Sequence, residues 1–299
     1  MAYLEDENAR QRRADPHLIL PECKSILVLG TPYNPPLPMG ERPDVREGRI
    51  AAYAWGADYH LVLPRRMQEL VAFIETQVGH PIPNRWYTDT GPILERDLAQ
   101  QAGLGWIGKN TCLINPRLGS TFFLSEILLG FDLDPDPPFV TDQCGTCTRC
   151  LDACPTHCIL PDRTLDAARC ISYLTIELKD SIPEDLRPLM QEWIFGCDIC
   201  QQVCPWNRFA PEADPAFQKL IPLRNLTEDL HLTPEAFNSI FKDSPIKRTK
   251  RRGYLRNVAV ALGNQCDPSA LPALESALED PEPLVREHVT WAIQTIQQK

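Results

Sequence analysis

The chain has 299 residues and a formal net charge of −10, a length that suits two domains or one large domain with appendages. The acidic balance excludes indiscriminate nucleic-acid binding but leaves room for one local basic surface. No apolar run reaches the roughly 18 residues of a membrane span, and the N-terminus lacks the apolar segment of a secretory signal. We therefore expect a cytoplasmic protein that makes no membrane contact.

Apolar patterning over the first 140 residues predicts an α/β domain. The run 25–30 is short, apolar and closed by a glycine, as a buried strand is. From Leu63 onward apolar residues recur at helical spacing, with Pro64 in the first turn. Pro92 likewise suits the first turn of a further helix. The predicted elements are strands at 25–30, 85–90, 111–114 and 121–129 and helices at 63–78 and 93–102.

A glycine-rich segment at 103–110 matches two nucleotide-binding patterns in part. Gly103, Gly105 and Gly108 fit G-x-G-x-x-G, but that fingerprint follows a strand, whereas this segment follows a predicted helix. The P-loop pattern fails at Asn110, where Ser or Thr would reach magnesium. We therefore expect Gly103 to end the helix and the remainder to form a flexible loop whose amides approach a bulky ligand closely.

Twelve cysteines carry the chemistry of the middle of the chain. Residues 144–155 read C-x2-C-x2-C-x3-C-P, the bacterial ferredoxin run, in which three thiolates bind one iron–sulfur cube and the fourth binds a second. A second group at 197–205 lacks the first cysteine of that run, because Ile194 occupies its place. The missing ligand must come from elsewhere. Cys170 is the natural donor, and Cys158 is the alternative.

This spacing assigns eight thiolates to two [4Fe–4S] clusters. The first cluster is held by Cys144, Cys147, Cys150 and Cys204, and the second by Cys154, Cys170, Cys197 and Cys200. Structural zinc is the alternative, since C-x2-C pairs also bind zinc, but eight cysteines in this order with two Cys-Pro ends favour iron. Cluster thiolates require a reducing compartment, which agrees with a cytoplasmic location.

The composition changes after residue 210. The segment 247–252 carries five positive charges in six residues, and two Asp-Pro turns, at Asp267 and Asp280, each open an amphipathic helix. These helices resemble HEAT-type pairs over about 250–299. A basic run is most often a solvated face, but beside a concave helical surface in an acidic chain it favours nucleic-acid binding. The residues concerned are Lys247, Arg248, Lys250, Arg251 and Arg252.

Four motifs in this order resemble the epoxyqueuosine reductase family. They are 87–96 (YTDTGPILER), 103–110 (GLGWIGKN), the two cysteine groups, and 253–264 (GYLRNVAVALGN). The resemblance covers essentially the whole chain. It implies a cobalamin-dependent enzyme that removes the epoxide oxygen of epoxyqueuosine at the wobble position of a tRNA anticodon, related in its cobalamin and cluster domains to reductive dehalogenases. Family members begin some tens of residues earlier, so contacts from that segment lie outside this sequence.

The resemblance also implies roles for individual residues. Asp89 matches the family's proton donor, and desolvation beside a corrin would raise the pKa of its carboxyl and suit it to act as a general acid. A cap for the helix near Pro92 is the alternative role. We expect His60 to line the cofactor pocket or to be packed in the core. The expected cobalamin contacts are Arg13, Tyr53, His60, Asp89, Lys109, Asn110 and Thr111.

The predicted architecture has three parts. An α/β cobalamin-binding domain spans 1–140, a bacterial-type two-cluster ferredoxin domain spans 141–210, and a linker with a HEAT-like α-helical tRNA-binding domain spans 211–299. The expected partners are the anticodon stem-loop and an external low-potential electron donor, and we expect a monomer. There are three alternatives. The first is an electron-transfer protein, which would need neither the α/β domain nor the basic run. The second is a reductive dehalogenase, which typically carries an export signal and lacks the helical tail, and the third is an RNA adaptor with structural clusters.

Overall fold

The computed structural model describes residues 6–34, 47–218 and 224–298. The helices are α1 (Glu7–Ala14), α2 (Tyr59–Val78), α3 (Glu95–Gln101), α4 (Arg149–Ala153), α5 (Ile171–Ile176), α6 (Ile199–Gln202), α7 (Leu226–Asp229), α8 (Pro234–Ile240), α9 (Lys250–Gln265), α10 (Leu271–Ala277) and α11 (Pro283–Gln297). The strands are β1 (Ser25–Pro32), β2 (Arg49–Ile50), β3 (Asn84–Tyr87), β4 (Trp106–Ile107), β5 (Leu113–Ile114), β6 (Phe122–Leu129) and β7 (Trp193–Phe195). Within the described ranges no helix combines the length and apolar character needed to cross a membrane.

The main sheet has three strands in the order β1-β6-β3, and both pairings are antiparallel. Strand β6 lies in the centre, and almost all of its residues are buried. The predicted strands at 25–30, 85–90 and 121–129 are confirmed, with the second ending early at Tyr87. The segment at 111–114 contributes only β5, which pairs with β4 outside the main sheet. The central position of β6 therefore places its side chains in the core behind the site.

Helix α2 begins at Tyr59 rather than at Leu63 as predicted, because Asp58 caps it. The Asp58 carboxylate accepts the backbone N–H of His60 at 3.0 Å, which satisfies one of the free donors of the first turn. Pro64 therefore lies inside the helix, where it removes the donor that would bond the His60 carbonyl. The earlier start brings Tyr59 and His60 to the helix end that faces the site.

Helix α3 begins at Glu95, with Leu94 at the capping position and no side-chain cap. The prediction that the helix starts beside Pro92 is therefore wrong, and the alternative role of Asp89 as a helix cap is excluded. At the other end, Gly103 has a φ of +75°, and its amide bonds back to the last helical turn. The predicted helix end at this glycine is confirmed.

The cysteine-rich segment, residues 141–210, forms hydrogen bonds with both flanking parts of the chain. Strand β2 pairs with β7 in parallel. On the other side, the buried carboxamide of Asn257 in α9 donates to the carbonyls of Thr175 (2.8 Å) and Ile194 (2.9 Å). Helices α9, α10 and α11 share an apolar core with β7. The C-terminal helices are therefore packed directly against the cluster segment.

Candidate active site and cluster sites

A cavity of about 820 Å³ is lined by residues of the main sheet, the cysteine-rich segment and the basic segment, residues 247–252. This volume is near the upper end of the roughly 300–1,000 Å³ range of ligand pockets. The phenylalanine and tyrosine residues in the lining are Tyr33, Tyr53, Tyr59, Phe122, Phe123, Tyr173 and Phe195. The thiols of Cys112 and Cys170 line the same space. The cavity thus combines the size and the apolar walls that a large planar ligand needs.

Asp89 lines this cavity and is held from two sides. Its Oδ2 accepts a hydrogen bond from the Tyr59 hydroxyl (2.9 Å) and lies 3.4 Å from Nε2 of His60. The guanidinium of Arg248 is 3.7 Å from the same oxygen. On the backbone side, the N–H of Asp89 donates to Oε1 of Glu95. These contacts fix the direction in which the carboxylate points.

Of the pair formed by His60 and Asp89, His60 is the side chain that carries the proton. The hydrogen bond with His60 lowers the pKa of Asp89 and outweighs burial, which acts in the opposite direction. Burial disfavours the charged imidazole, but hydrogen bonds to Asp58 and Asp89 raise the pKa of His60 to about 9. Desolvation acts to raise the pKa of Asp89, as expected, but the contact with His60 lowers this pKa by more than burial raises it. At neutral pH Asp89 is ionised and His60 is protonated.

Only some of the predicted cobalamin contacts meet in the cavity. Those that line it are Tyr53, His60 and Asp89. Those that are absent from its described lining are Arg13, Lys109, Asn110 and Thr111. Lys109 and Asn110 instead line the smaller space around the first group of cysteines. The structure therefore places 109–110 beside the cysteine loop, and their predicted contact with the corrin stays a prediction.

The glycine-rich segment packs against protein and supports the cluster loop. A Cβ at Gly105 would lie 2.1 Å from the carbonyl oxygen of Ile114, so glycine is required there by the close approach of β4 and β5. The ammonium of Lys109 donates to the carbonyls of Gly145 (2.7 Å) and Cys147 (2.9 Å). These contacts correct the expectation of a flexible loop that approaches a bulky ligand.

The four cysteines assigned to the first cluster meet around one small space. A cavity of about 60 Å³ is lined by Cys144, Cys147, Cys150 and Cys204. Nε1 of Trp106 donates to Sγ of Cys144 at 3.4 Å, and hydrogen bonds of this kind tune the potential of a cluster. Four thiols around one space suit a [4Fe–4S] cube. The loop between the first two cysteines is exposed.

The cysteines assigned to the second cluster lie deeper, beside the large cavity. Cys154 and Cys200 pack in one buried group with Cys170, and Cys197 is close enough to interact electrostatically with Cys154 and Cys170. Cys158 joins the same group, with its Sγ 3.4 Å from that of Cys154. Both candidates for the eighth ligand thus stand beside Cys154. The choice of Cys170 stays a prediction.

The basic segment lies at the edge of the large cavity. Lys247 and Arg248 line the cavity, and Nε of Arg248 donates to Glu177 at 2.6 Å. The side chains of Lys247, Lys250 and Arg252 are exposed. A cationic surface therefore adjoins the pocket that contains Asp89.

Arg251 does not belong to this surface. Its guanidinium forms an ion pair with Asp280 and also donates to the carbonyl of Leu232. The arginine side chain is 14% exposed and the aspartate side chain 5%. The assignment of Arg251 to nucleic-acid binding stays a prediction, but the structure gives its guanidinium partners within the protein. This residue joins the start of α9 to the turn before α11.

Sequence patterns missed several residues of the site. Tyr59 lies before the predicted start of α2 at Leu63, so periodicity does not indicate it. Asp58 is the signal that could have indicated Tyr59, because a capping residue there starts the helix at Tyr59. Cys112 lines the cavity and hydrogen-bonds Cys200, but no local spacing links two cysteines so distant in the chain. A pair of acids, the buried Glu126 and the partly buried Glu95, stands beside Asp89, and it too is formed only by the fold.

Two family profiles match the chain. Residues 143–207 match a 4Fe-4S double cluster binding domain, which establishes two iron–sulfur clusters in place of structural zinc. Residues 13–90 match the profile described as Epoxyqueuosine reductase QueG, DUF1730.

Relatives and solved structures agree with these matches. An epoxyqueuosine reductase of Pseudomonas aeruginosa is 46% identical over 297 residues, which cover 94% of this chain and 80% of that protein. A crystal structure of epoxyqueuosine reductase with a tRNA-Tyr epoxyqueuosine-modified stem loop has a TM-score of 0.89 at 32% identity, covering 99% of this chain and 82% of that one. The Bacillus subtilis epoxyqueuosine reductase, solved with its aspartate-containing catalytic loop swung out of the active site, has a TM-score of 0.85 at 33% identity, covering 96% and 77%. The chain therefore belongs to the epoxyqueuosine reductase family of oxidoreductases.

Proposed function

We propose that this enzyme reduces the epoxide of epoxyqueuosine at the wobble position of a tRNA anticodon to give queuosine, with cobalamin in the large cavity and Asp89 beside the reacting group. One observation carries the proposal. A single cavity is lined by an acid held in a fixed direction, a thiol assigned to a cluster and the first cations of the basic segment, namely Asp89, Cys170, Lys247 and Arg248.

Cobalamin suits this cavity in size and in lining. The aromatic rings of Tyr53, Tyr59 and Phe123 offer apolar surface to a corrin, and the volume of about 820 Å³ is that of a site for a large ligand. When bound, cobalamin supplies a reduced cobalt that collects single electrons. Tyr53 and His60 are the residues that we expect to contact it.

The positions of the two groups of cysteines support an order of electron transfer. The loop around Cys144 and Cys147 is exposed, whereas Cys170 lines the large cavity. With both clusters bound, the exposed loop of Cys144 and Cys147 would hold the one that accepts electrons from an external low-potential donor, and Cys170 would hold the one next to the cavity. Trp106 and Lys109 contact the first cluster loop and hold its geometry.

Asp89 and His60 supply the proton. Conversion of an epoxide to an alkene and water consumes two electrons and two protons, and the departing oxygen must be protonated. His60 carries a proton at neutral pH, and Asp89, oriented by the Tyr59 hydroxyl, relays that proton to the oxygen. Solvent provides the second. In the Bacillus subtilis relative, a catalytic loop that contains an aspartate is swung out of the active site. We assign the loop of Asp89 as the catalytic loop of this chain.

The basic segment and the helices behind it hold the RNA. A wobble base stacked in its loop must be splayed out to reach a buried cofactor, at a cost of a few kcal/mol. Phosphate contacts from Lys247, Lys250 and Arg252 offset that cost. We assign 1–140 to cobalamin, 141–210 to the clusters and 211–299 to a HEAT-like tRNA-binding part, in a monomer that acts in the cytoplasm, where its tRNA is.

Anaerobic reconstitution tests this function directly. Protein loaded with iron, sulfide and cobalamin is reduced and mixed with a stem-loop that carries epoxyqueuosine. Mass spectrometry of the digested RNA should show the loss of one oxygen atom from the modified base, and the protein should show corrin absorption bands. A protein that retains both clusters but neither binds cobalamin nor changes the base would instead be an electron carrier, and the proposal would fail.

A further inference from the structure

Glu126 is an acid placed in the centre of the main sheet. It lies opposite Val28 of β1 and Tyr87 of β3, and it is 0% exposed. Neither of its carboxyl oxygens has a hydrogen-bond partner in the described chain. The neighbouring ionisable group that acts on it is the carboxyl of Glu95 on α3. A buried acid whose neighbour is a second acid calls for an explanation, since such groups are costly unless they are paired.

The two acids must share a proton. Two carboxylates in one apolar site cannot both ionise, so one stays neutral and donates to the other. Burial and the proximity of Glu95 raise the pKa of Glu126, and burial together with the charge of Asp89 raises the pKa of Glu95. The cation facing the pair is Arg96, which acts on Glu95. Glu126 is accordingly the neutral donor and Glu95 the acceptor.

Glu95 also holds the backbone of the proposed acid. Its Oε1 accepts the N–H of Asp89 at 2.5 Å. Asp89 has a φ of +60°, a region that is uncommon for residues other than glycine and that aspartate tolerates better than most. Beside it, a Cβ at Gly91 would lie 2.5 Å from the ring of Tyr87, so the turn is also closely packed. A hydrogen bond therefore joins Glu95 to the main chain of Asp89, and a shared proton would join Glu126 on strand β6 to Glu95.

We propose that Glu95 and Glu126 form a proton-bearing latch that holds the Asp89 loop in the position from which its carboxylate faces the cavity. Both are positioning residues, because they act through the backbone of Asp89. The importance of the latch for turnover depends on the proposed function, but the latch itself is a property of the protein without substrate.

Hydrogen–deuterium exchange of the peptide containing Asp89, measured on the full chain with its clusters, tests the latch. Glu95→Ala removes the acceptor, so exchange of the Asp89 amide should accelerate by about tenfold or more. Glu95→Gln keeps a carbonyl acceptor and should restore most of the protection. The exposed Glu69, which pairs with Arg65 at 3.2 Å, provides the control variant Glu69→Ala, which should leave the exchange of this peptide unchanged.

The shared proton is tested by the pH dependence of the same exchange. After correction for the intrinsic rate, the wild type should lose protection at alkaline pH, when the pair gives up its last proton and two charges stand beside Asp89. Glu126→Gln keeps a neutral donor that cannot ionise, so the loss of protection that comes from the pair should disappear, and only the contribution of His60, which also faces Asp89, should remain. Glu126→Leu removes the donor and should loosen the loop at every pH.

Either of two results overturns the proposal. Unchanged exchange in Glu95→Ala would show that Glu95 does not hold the loop, and an identical pH dependence in Glu126→Gln and wild type would show that the pair does not carry the proton. If Glu95→Ala does not fold, exchange of the Asp89 peptide is compared between Glu95→Gln and Glu126→Leu. Slower exchange in Glu95→Gln than in Glu126→Leu supports the latch, and equal exchange contradicts it. Because no turnover is measured, a failure of the proposed activity would appear separately, as an unchanged base in the stem-loop assay.

Discussion

Nε2 of His60 lies 3.4 Å from Oδ2 of Asp89, while Nδ1 of the same ring lies 2.8 Å from Oδ1 of Asp58. One imidazole thus bridges two carboxylates, and this arrangement keeps it protonated. The acid that faces the cavity therefore has a proton source directly behind it. This relationship changes the role expected for Asp89 from a neutral acid to a carboxylate that relays the proton of its neighbour.

Replacement of Asp89 by asparagine should abolish most turnover while cobalamin and both clusters remain bound. The amide keeps an acceptor for the Tyr59 hydroxyl, so the fold of the loop is preserved, but it cannot relay a proton. Loss of a general acid costs roughly 10²- to 10⁴-fold in rate. Single-turnover conversion of the modified stem-loop, with cofactor content measured on the same sample, tests this. A rate near that of the wild type at neutral pH would remove Asp89 from the chemistry.

The pH dependence of the reaction should report on His60. Its pKa in the folded protein is about 9, raised from 6.5, so the ion pair with Asp89 is fully present below the unfolded value and is lost as pH rises through about 9. The wild-type rate should therefore fall on the alkaline side. Glu126 also titrates in the alkaline range, so the two groups must be separated by variants.

His60→Gln should separate them. The amide can still donate to Asp89 but has no proton to lose in this range, so the alkaline fall should disappear from a rate that is roughly 10²-fold lower. Single-turnover rates measured across the neutral and alkaline range provide the test. An alkaline limb that persists in His60→Gln would assign the titration to another group, and Glu126→Gln then shows whether the acid pair is that group.

Local spacing predicted much of this site, and the fold supplied the rest. The interleaving of Cys204 with the first cysteine group followed from the two Cys-Pro ends, and the structure brings these thiols around one cavity. The role of Lys109 did not follow from spacing. A lysine at the end of a glycine-rich segment has the same sequence pattern whether it binds a ligand or the carbonyls of a neighbouring loop. The contact between Glu95 and Glu126 joins a helix to a strand, and periodicity carries no information about it.

Removal of single thiols should distinguish the eighth cluster ligand. Cys204→Ala should lower iron content by about half, or further if the damage spreads, because it breaks one of two four-thiolate sites. Cys170→Ser should damage the second cluster, whereas Cys158→Ser and Cys266→Ser should leave iron unchanged. Iron analysis and the paramagnetic resonance spectrum of the reduced protein provide the measurement. Loss of a cluster in Cys158→Ser, with full iron in Cys170→Ser, would reverse the assignment.

Arg251→Ala should destabilise the protein rather than weaken RNA binding alone. The substitution leaves Asp280 almost buried without its partner, and breaking a buried ion pair costs about 3–5 kcal/mol. The midpoint of thermal unfolding should therefore fall clearly. Arg252→Ala is the matched control, since this neighbour is exposed, and its midpoint should stay close to that of the wild type. Equal midpoints for both variants would return Arg251 to the solvated surface.

The exposed cations of the basic segment should account for the salt dependence of RNA binding. Simultaneous replacement of Lys247, Lys250 and Arg252 by alanine should weaken binding of the stem-loop and reduce its salt slope by about one unit for each phosphate that is no longer neutralised. Arg251 is left in place, so the fold is not disturbed. Reduction of the free modified nucleoside should barely change, because the nucleoside has no phosphate for these cations to bind.

A second triple variant controls for the removal of charge itself. Lys24, Arg65 and Arg117 are exposed cations outside the basic segment, and their replacement by alanine lowers the net charge equally. If the basic segment binds the backbone, this control should keep the wild-type slope, because counterion release depends on neutralisation of phosphates and not on total charge alone. Titration of stem-loop binding across a salt series distinguishes the two variants. Equal slopes for the control and the Lys247, Lys250 and Arg252 variant would show that the tRNA lies elsewhere.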